Sequence, residues 1–477
     1  MPELPEVETV KRVLLPIVKG RTIVKIDINR KTIVNNLEDE FVSYYTNERF
    51  LDITRIGKFL IFHLTNDKVL ISHLRMEGKY IELLESDQDT KYARVVFHLD
   101  NNHKLCYDDS RSFGRMIIND EKHYKEEKEL AKLGPEPFYV DNVSELINKT
   151  KKMSLPIKTA LLSQELVTGL GNIYVDEVLF ASKVHPLTPA KLITKQEWET
   201  IIKESKRILN AAIEAGGSTI KSYHPGKDID GNFQTSLQAY GRNGQKCVVC
   251  HTNMRFIKAN GRGTTFCPHC QIKRGAPLKI AIVGKIASGK STVLDCFRKA
   301  GYLALSSDEI VHKLYEGKSI QATIIKKLKL KEEGNFLTTL SEHLKVKTQD
   351  LEKLEKVVHP LVKKELEREF KNSKSPLLVA EVPLLFKAKM ENMFDVIIGV
   401  DINDNIQLDR LQIRDKEKSA FLKRINDVNN MFDEHRQDLD FVIINNNDSK
   451  SLEKEVKEII NKVLSRLSQF PSDTLHG

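Results

Sequence analysis

The sequence lacks the features that would send it into a membrane or out of a cell. No apolar run reaches the roughly 18 residues that a membrane span needs. The longest candidate, "LLVAEVPLLF" (377–386), is broken by Glu381 and Pro383. The amino end, "MPELPEVETV", has neither a basic region nor an apolar core, which excludes a secretory signal. Cysteine is scarce: six in 477 residues, with Cys106 and Cys296 alone and the other four clustered. In a chain without a signal, such a cluster points to metal rather than to disulfides. There is no internal repeat. A cytoplasmic, membrane-free protein is expected, and a monomer. Acid is missing from 231–276, which holds seven Lys and Arg and no Asp or Glu. A basic concentration of that kind marks contact with nucleic acid phosphate.

What is present divides into segments. Residues 1–135 alternate apolar and polar in short runs ("RTIVKIDIN", "KFLIFHL", "KVLISHL", "ARVVFHL") separated by turns, which predicts a β-rich domain. Residues 136–240 read as helical. Thr194 and Glu197 have capping-box spacing, Trp198, Ile201, Ile202, Leu209, Ala212 and Ile213 share one helical face, and Gly216–Gly217 stop the helix. "IKTALLSQELVTGLGNIYVDEVLFASKV" predicts two helices around a glycine-rich turn. Residues 241–273 form a small finger. From Leu278 strands and helices alternate to about 465, a parallel α/β pattern, and 466–477 reads as a polar, flexible tail.

Three stretches carry chemistry. Cys247, Cys250, Cys267 and Cys270 stand as C-x2-C-x16-C-x2-C. Each pair lets two thiolates reach one ion, and four make a closed tetrahedral structural zinc site, one per chain. "GKIASGKS" (284–291) follows the apolar strand "LKIAIV" and matches G-x4-G-K-S. Gly284, Ala287, Ser288, Gly289 and Thr292 belong to a loop whose amides cradle phosphates. Lys290 meets the terminal phosphates, and Ser291 can hold Mg²⁺. ATP and Mg²⁺ are the expected ligands. Pro2 has two readings: an ordinary helix-start residue, or, with Met1 removed, a secondary amine able to attack a sugar aldehyde carbon.

PELPEVE, "GKFL" (57–60), "HLRMEGK" (73–79), "DSRSFG" (109–114), "GLGNIYVDEVLF" (169–180) and "GRGTTFCPHC" occur in order. Together they resemble formamidopyrimidine-DNA glycosylase, a bifunctional DNA glycosylase/AP lyase for oxidised purines such as 8-oxoguanine. The resemblance covers roughly residues 2–272. It implies a β-sandwich, a helix–two-turn–helix module and a zinc finger acting on double-stranded DNA that holds oxidised purines or abasic sites. It assigns Pro2 as nucleophile, Glu3 as proton donor and acceptor, Glu6 as an organiser of the site, and Lys58 as a further acid or phosphate contact. Met76, Arg111 and Phe113 would fill the gap left by a flipped base. Asn172, Lys158 and Lys152 would hold phosphates, and Arg262 would grip the phosphate at the lesion. The stretch 216–234 resembles a loop that closes over the base. "KYARV" departs from the family's KHDHV-like stretch, so Tyr92 and Arg94 stand for histidines and a DNA contact there is altered.

From 278 to 465, "IAIVGKIASGKSTV", "SSDEIVHKL", "LEKVVHPLV", "LLVAEVPLLF", "FDVIIGVD", "QLDRLQIRD" and "FVIINN" resemble dephospho-CoA kinase. The implied reaction moves the ATP γ-phosphoryl to the ribose 3′-hydroxyl of dephospho-CoA. Asp308 would act as base or orient the hydroxyl, Arg410 and Arg414 would be lid arginines, and His359–Pro360 resembles a substrate-side motif. Lys285 stands where a second glycine is usual and Lys387 where an acid is common. An active kinase is one reading; a weak, inactive or regulatory nucleotide-binding domain is the other.

Overall fold

In the computed structural model, residues 2–218, 232–330, 334–414, 419–446 and 449–468 are described, the side chains of 412–414, 419–424 and 468 excepted. The chain divides into two compact units. One takes in residues up to Val249 and Phe256–Gln271; the other holds Cys250–Arg255 and everything from Ile272. The division therefore runs through the finger expected at 241–273.

The first unit opens with the helix Leu4–Val18, whose Val7, Val10, Leu14 and Val18 repeat at helical spacing and are buried. They enter the core between two four-stranded antiparallel sheets. One orders Ile23–Ile28, Ala93–Leu99, His103–Asp108 and Lys79–Leu84; the other orders Phe50–Ile56, Phe59–Leu64, Lys68–His73 and Arg115–Asp120. Each fully buried Ile, Leu or Phe in this sandwich contributes roughly 1.5–3 kcal/mol.

The helical module that follows contains Ile157–Leu162, Asn172–Ala181 and Lys195–Glu214. The last has the capping box expected from sequence: Thr194 accepts from the Glu197 amide and Glu197 accepts from the Thr194 amide. Trp198, Ile201, Ile202, Leu209 and Ala212 are buried against Leu161, Val175 and Val178. Leu4 packs in this same core, so the first helix belongs to the helical core at residue 4 and to the sandwich from residue 7. The finger hairpin pairs Arg255–Ala259 with Arg262–Phe266 across Asn260–Gly261, both at positive φ, as a tight hairpin turn demands.

The second unit is built on a five-stranded parallel sheet: Leu303–Ser306, Leu377–Glu381, Leu278–Gly284, Val396–Asp401 and Phe441–Ile444. Its central strands are almost wholly buried, which is why they read as continuous apolar runs. Among the described residues no helix is long and apolar enough to cross a membrane.

Candidate functional sites

Glu3 caps the first helix, and its amide donates to Glu6 Oε2 at 2.8 Å. The Glu3 carboxylate lies across the N-terminus of the helix Asn172–Ala181. It accepts from the amides of Gly171 (2.6 Å), Ile173 (2.9 Å) and Tyr174 (3.3 Å). A helix N-terminus suits an anion there. Burial pushes the Glu3 carboxyl above its usual range, against the pull of Lys58 and these amides. Glu6 accepts from the Tyr174 hydroxyl (2.6 Å) and from both the amide and the hydroxyl of Ser218. Pro2 is buried beside this group.

Lys58 is buried and donates to the Leu170 carbonyl at 2.8 Å. Burial lowers its pKa to about 8, although Glu3 and Glu6 pull the other way; the charge of Arg262 adds to the lowering. Glu3, Lys58 and Arg262, far apart in sequence, thus share one electrostatic environment. Arg262 itself is exposed at the start of a finger strand.

The turn that carries Lys58, between the strands Phe50–Ile56 and Phe59–Leu64, is anchored by residues the sequence did not single out. Arg55 pairs with Glu136 and with Glu8, and the Gly57 amide donates to Glu136 at 2.8 Å. Asp176 and Glu177, inside a quoted motif but without a role there, are also anchors. Glu177 accepts from the amides of Gln238, Ala239 and Tyr240.

Asp176 changes the account of Lys158. Lys158 has no exposed surface. Its ammonium donates to Asp176 (2.7 Å) and to the Gly263 carbonyl (3.0 Å), while Asp176 also accepts from the Thr265 amide. Burial lowers the lysine and raises Asp176 to about 6. A phosphate cannot reach that ammonium, so the contact expected of Lys158 is corrected to a buried tie between the helical module and the hairpin. Lys152 is exposed. Asn172 opens its helix with its amide oxygen buried and no hydrogen-bond partner among the described residues.

Met76, Tyr92, Arg111 and Phe113 are exposed, with the Arg111 guanidinium 5.1 Å over the Phe113 ring. Of the 216–234 stretch, 219–231 lies outside the described residues.

The four cysteine sulfurs lie within 4.8 Å of one another, with Cys247 and Cys270 at 3.9 Å. Tetrahedral zinc with ~2.3 Å bonds to sulfur needs sulfurs about 3.8 Å apart. The amides of Val249 and Cys270 donate to the sulfurs of Cys247 and Cys267, as knuckle turns do. The residues fit zinc.

In the second unit the phosphate loop opens after Gly284. Ala287 (φ +59) and Gly289 (φ +92) are left-handed, and Gly289 caps the helix Lys290–Lys299. Lys290 donates to the carbonyls of Gly284 and Lys285. Ser288 is fully buried and Thr292 is exposed. Arg410 donates to the Ala287 and Asn445 carbonyls. Arg414 ends the helix Asp404–Arg414, its side chain outside the described set. Lys290, Ser291, Asp308, His359, Glu381 and Arg410 line one cavity of about 890 Å³.

Glu381 was legible only as an interruption of an apolar run. It pairs in register with Ile282 at the end of the neighbouring parallel strand, and the Ser291 hydroxyl donates to it at 3.4 Å. Burial raises its carboxyl. An acid beside the loop serine is where a nucleotide-bound Mg²⁺ is held, so these residues fit ATP with Mg²⁺. The two departures are absorbed by ion pairs. Lys285 turns toward Asp401, Asp404 and Asp433 (3.2–3.8 Å), and Lys387 pairs with Glu355 at 2.6 Å.

Comparisons with known proteins match the chain in four consecutive segments. Family models match in order: the formamidopyrimidine-DNA glycosylase N-terminal domain (1–116), its H2TH domain (133–224), the zinc finger found in FPG and IleRS (244–272), and dephospho-CoA kinase (278–451). The formamidopyrimidine-DNA glycosylase of Lactobacillus gasseri is 42% identical over 273 residues, 57% of this chain and 99% of its own length. That of Shouchella clausii is 45% identical over 274 residues, 57% and 99%. Among solved structures, Lactococcus lactis Fpg in complex with N7-benzyl-Fapy-dG DNA is 38% identical with a TM-score of 0.54; its complex with abasic DNA is 37% identical with the same score. Each of these two alignments covers 57% of this chain and all of the Fpg chain. The chain belongs to the formamidopyrimidine-DNA glycosylase family, with a dephospho-CoA kinase domain fused behind the glycosylase.

Proposed function

We propose that the first unit excises oxidised purines from duplex DNA and then cuts the strand at the abasic site, with Pro2 as the nucleophile. With Met1 removed, the Pro2 nitrogen attacks C1′ of a flipped nucleotide. The C1′–base bond breaks, and its electron pair and the proton from the Pro2 nitrogen go to the departing base. The C1′–O4′ bond then opens, O4′ takes its electron pair and a proton from Glu3, and the nitrogen lone pair closes an iminium between Pro2 and C1′. The iminium acidifies C2′–H; loss of that proton expels the 3′ phosphate and breaks the strand. Glu3 is the group that moves protons at the sugar. Lys58, protonated below pH about 8, is the acid or phosphate contact. Arg262, Asn172 and Lys152 hold phosphates, with Tyr92 on the outer backbone, while Met76, Arg111 and Phe113 occupy the space the base leaves. The observation that carries this reading is the Glu3 carboxylate held on three amides beside Lys58.

The second unit transfers the ATP γ-phosphoryl to the 3′-hydroxyl of dephospho-CoA. Bound Mg²⁺ would neutralise phosphate charge. Lys290, Ser291 and Glu381 form the phosphate end of the site, Asp308 orients the hydroxyl, and Arg410 with Arg414 stabilises the transferring group. The ion pairs that take up Lys285 and Lys387 favour activity over a passenger role. None of the cysteines is in a disulfide, which suits a cytoplasmic setting.

Two experiments test the reading. Borohydride should trap the chain covalently on 8-oxoguanine DNA, and a chain that keeps Met1 should not be trapped; equal trapping of both removes Pro2 as nucleophile. ATP-dependent phosphorylation of dephospho-CoA should occur and vanish in Lys290→Ala. Absence of turnover with ATP still bound refutes the kinase assignment.

A further inference from the structure

Arg94, one of two residues that depart from the family's pattern at "KYARV", is placed to act on the exposed loop 109–114. Ala93 faces Asp108 and Val95 faces Tyr107, so Arg94 is an extra residue without a ladder partner of its own. Its carbonyl instead accepts from the amides of Asn29 and Arg30 (2.9 and 3.2 Å). Bulges of this kind re-aim a side chain. The Arg94 guanidinium reaches the start of the loop, where it donates to the carbonyls of Asp109 (2.8 Å) and Ser110 (3.4 Å). Charge-assisted bonds to two successive carbonyls fix the backbone more firmly than neutral ones.

Other contacts converge on the same loop. Asp109 is fully buried and accepts from the amides of Arg111 (3.0 Å) and Gly114 (2.8 Å). Ser110 hydrogen-bonds Glu77, which follows Met76, so the two loops with exposed Met76 and Phe113 are tied together. A side chain at Gly114 would strike the Tyr107 hydroxyl, so the loop lies flat on the sandwich.

We infer that Arg94 is a positioning residue for base extrusion: it holds the Asp109–Gly114 loop from inside, so that Arg111 and Phe113 meet the duplex preformed. The inference rests on the glycosylase reading. Extruding a stacked base costs free energy, and a preformed wedge lowers the entropy lost in offsetting it. DNA that is already abasic has no base to unstack. Arg94 should therefore matter for intact lesions and little for abasic sites. If Arg94 were a phosphate contact instead, its loss would weaken both and flatten the salt dependence of binding.

The test compares the full chain with Arg94→Ala and Arg94→Lys. Single-turnover base release from 8-oxoguanine:cytosine duplex should fall about tenfold or more in Arg94→Ala, a loss typical of a displaced wedge. Borohydride trapping on abasic duplex should change less than about threefold. The slope of log affinity against log salt should hold, and Arg94→Lys should recover part of the loss. Equal losses on both duplexes, a slope reduced by about one, or no loss in base release would overturn the inference. Trypsin cleavage after Arg111, read by mass spectrometry, should quicken in Arg94→Ala whether or not the DNA chemistry occurs; unchanged cleavage also overturns it. If the unsubstituted chain releases no base, the glycosylase reading has failed instead, and the cleavage rates still decide whether Arg94 orders the loop.

Discussion

Glu3 and Gly171 fit each other at contact distance: the Gly171 amide donates to the carboxylate at 2.6 Å, and a side chain on Gly171 would begin 2.2 Å from the carboxyl carbon. Gly171→Ala should therefore move Glu3 without touching DNA-facing residues. Base release should fall by on the order of 10²-fold, the cost of about 1 Å of misplacement. Affinity for abasic duplex should stay within a few-fold. Parallel single-turnover and binding measurements check this.

Lys58 sets an expected alkaline limb. Its pKa is depressed to about 8, so its charged form is lost as pH rises through that value. If it acts as an acid, base release should decline above pH about 8. In Lys58→Gln that limb should disappear and the maximal rate should be lower. The stability sign is opposite. Between pH about 8 and 10.5 the folded state binds fewer protons at Lys58 than the unfolded chain does, so this group makes the first unit more stable as pH rises across that window.

The Lys158–Asp176 pair and Lys152 should separate stability from phosphate binding. Lys158→Ala leaves Asp176 buried without its cation, which costs about 3–5 kcal/mol. The thermal midpoint of the first unit should fall by on the order of 10 °C, with the salt slope of DNA binding unchanged. Lys152→Ala should leave the midpoint in place and reduce the slope by about one. Calorimetry and salt titration give the two readouts.

Lys387 and Glu355 form a pair whose sign can be exchanged. Lys387→Glu should sharply reduce dephospho-CoA phosphorylation by placing two acids together near His359, and adding Glu355→Lys should restore much of it. A double mutant no better than the single would mean that Lys387 acts on substrate rather than on Glu355.

Local chemistry was legible in the sequence and long-range pairing was not. The phosphate loop, the four cysteines and the helix Lys195–Glu214 are contiguous signals, and each stands where its spacing placed it. Lys158 read as a phosphate contact because nothing local says that Asp176, 18 residues on, takes its charge. Glu381 was hidden because its role depends on the strand beside it, and Arg55–Glu136 spans 81 residues. The bulge at Arg94 exists only relative to the strand it faces. Such features need register and topology before they can be seen.

The seam at residue 4, where Leu4 joins the helical core while Val7 joins the sandwich, makes one helix the shared beam of two cores. Any shift of one core against the other is therefore felt first at the end of that beam, where Glu3 caps it.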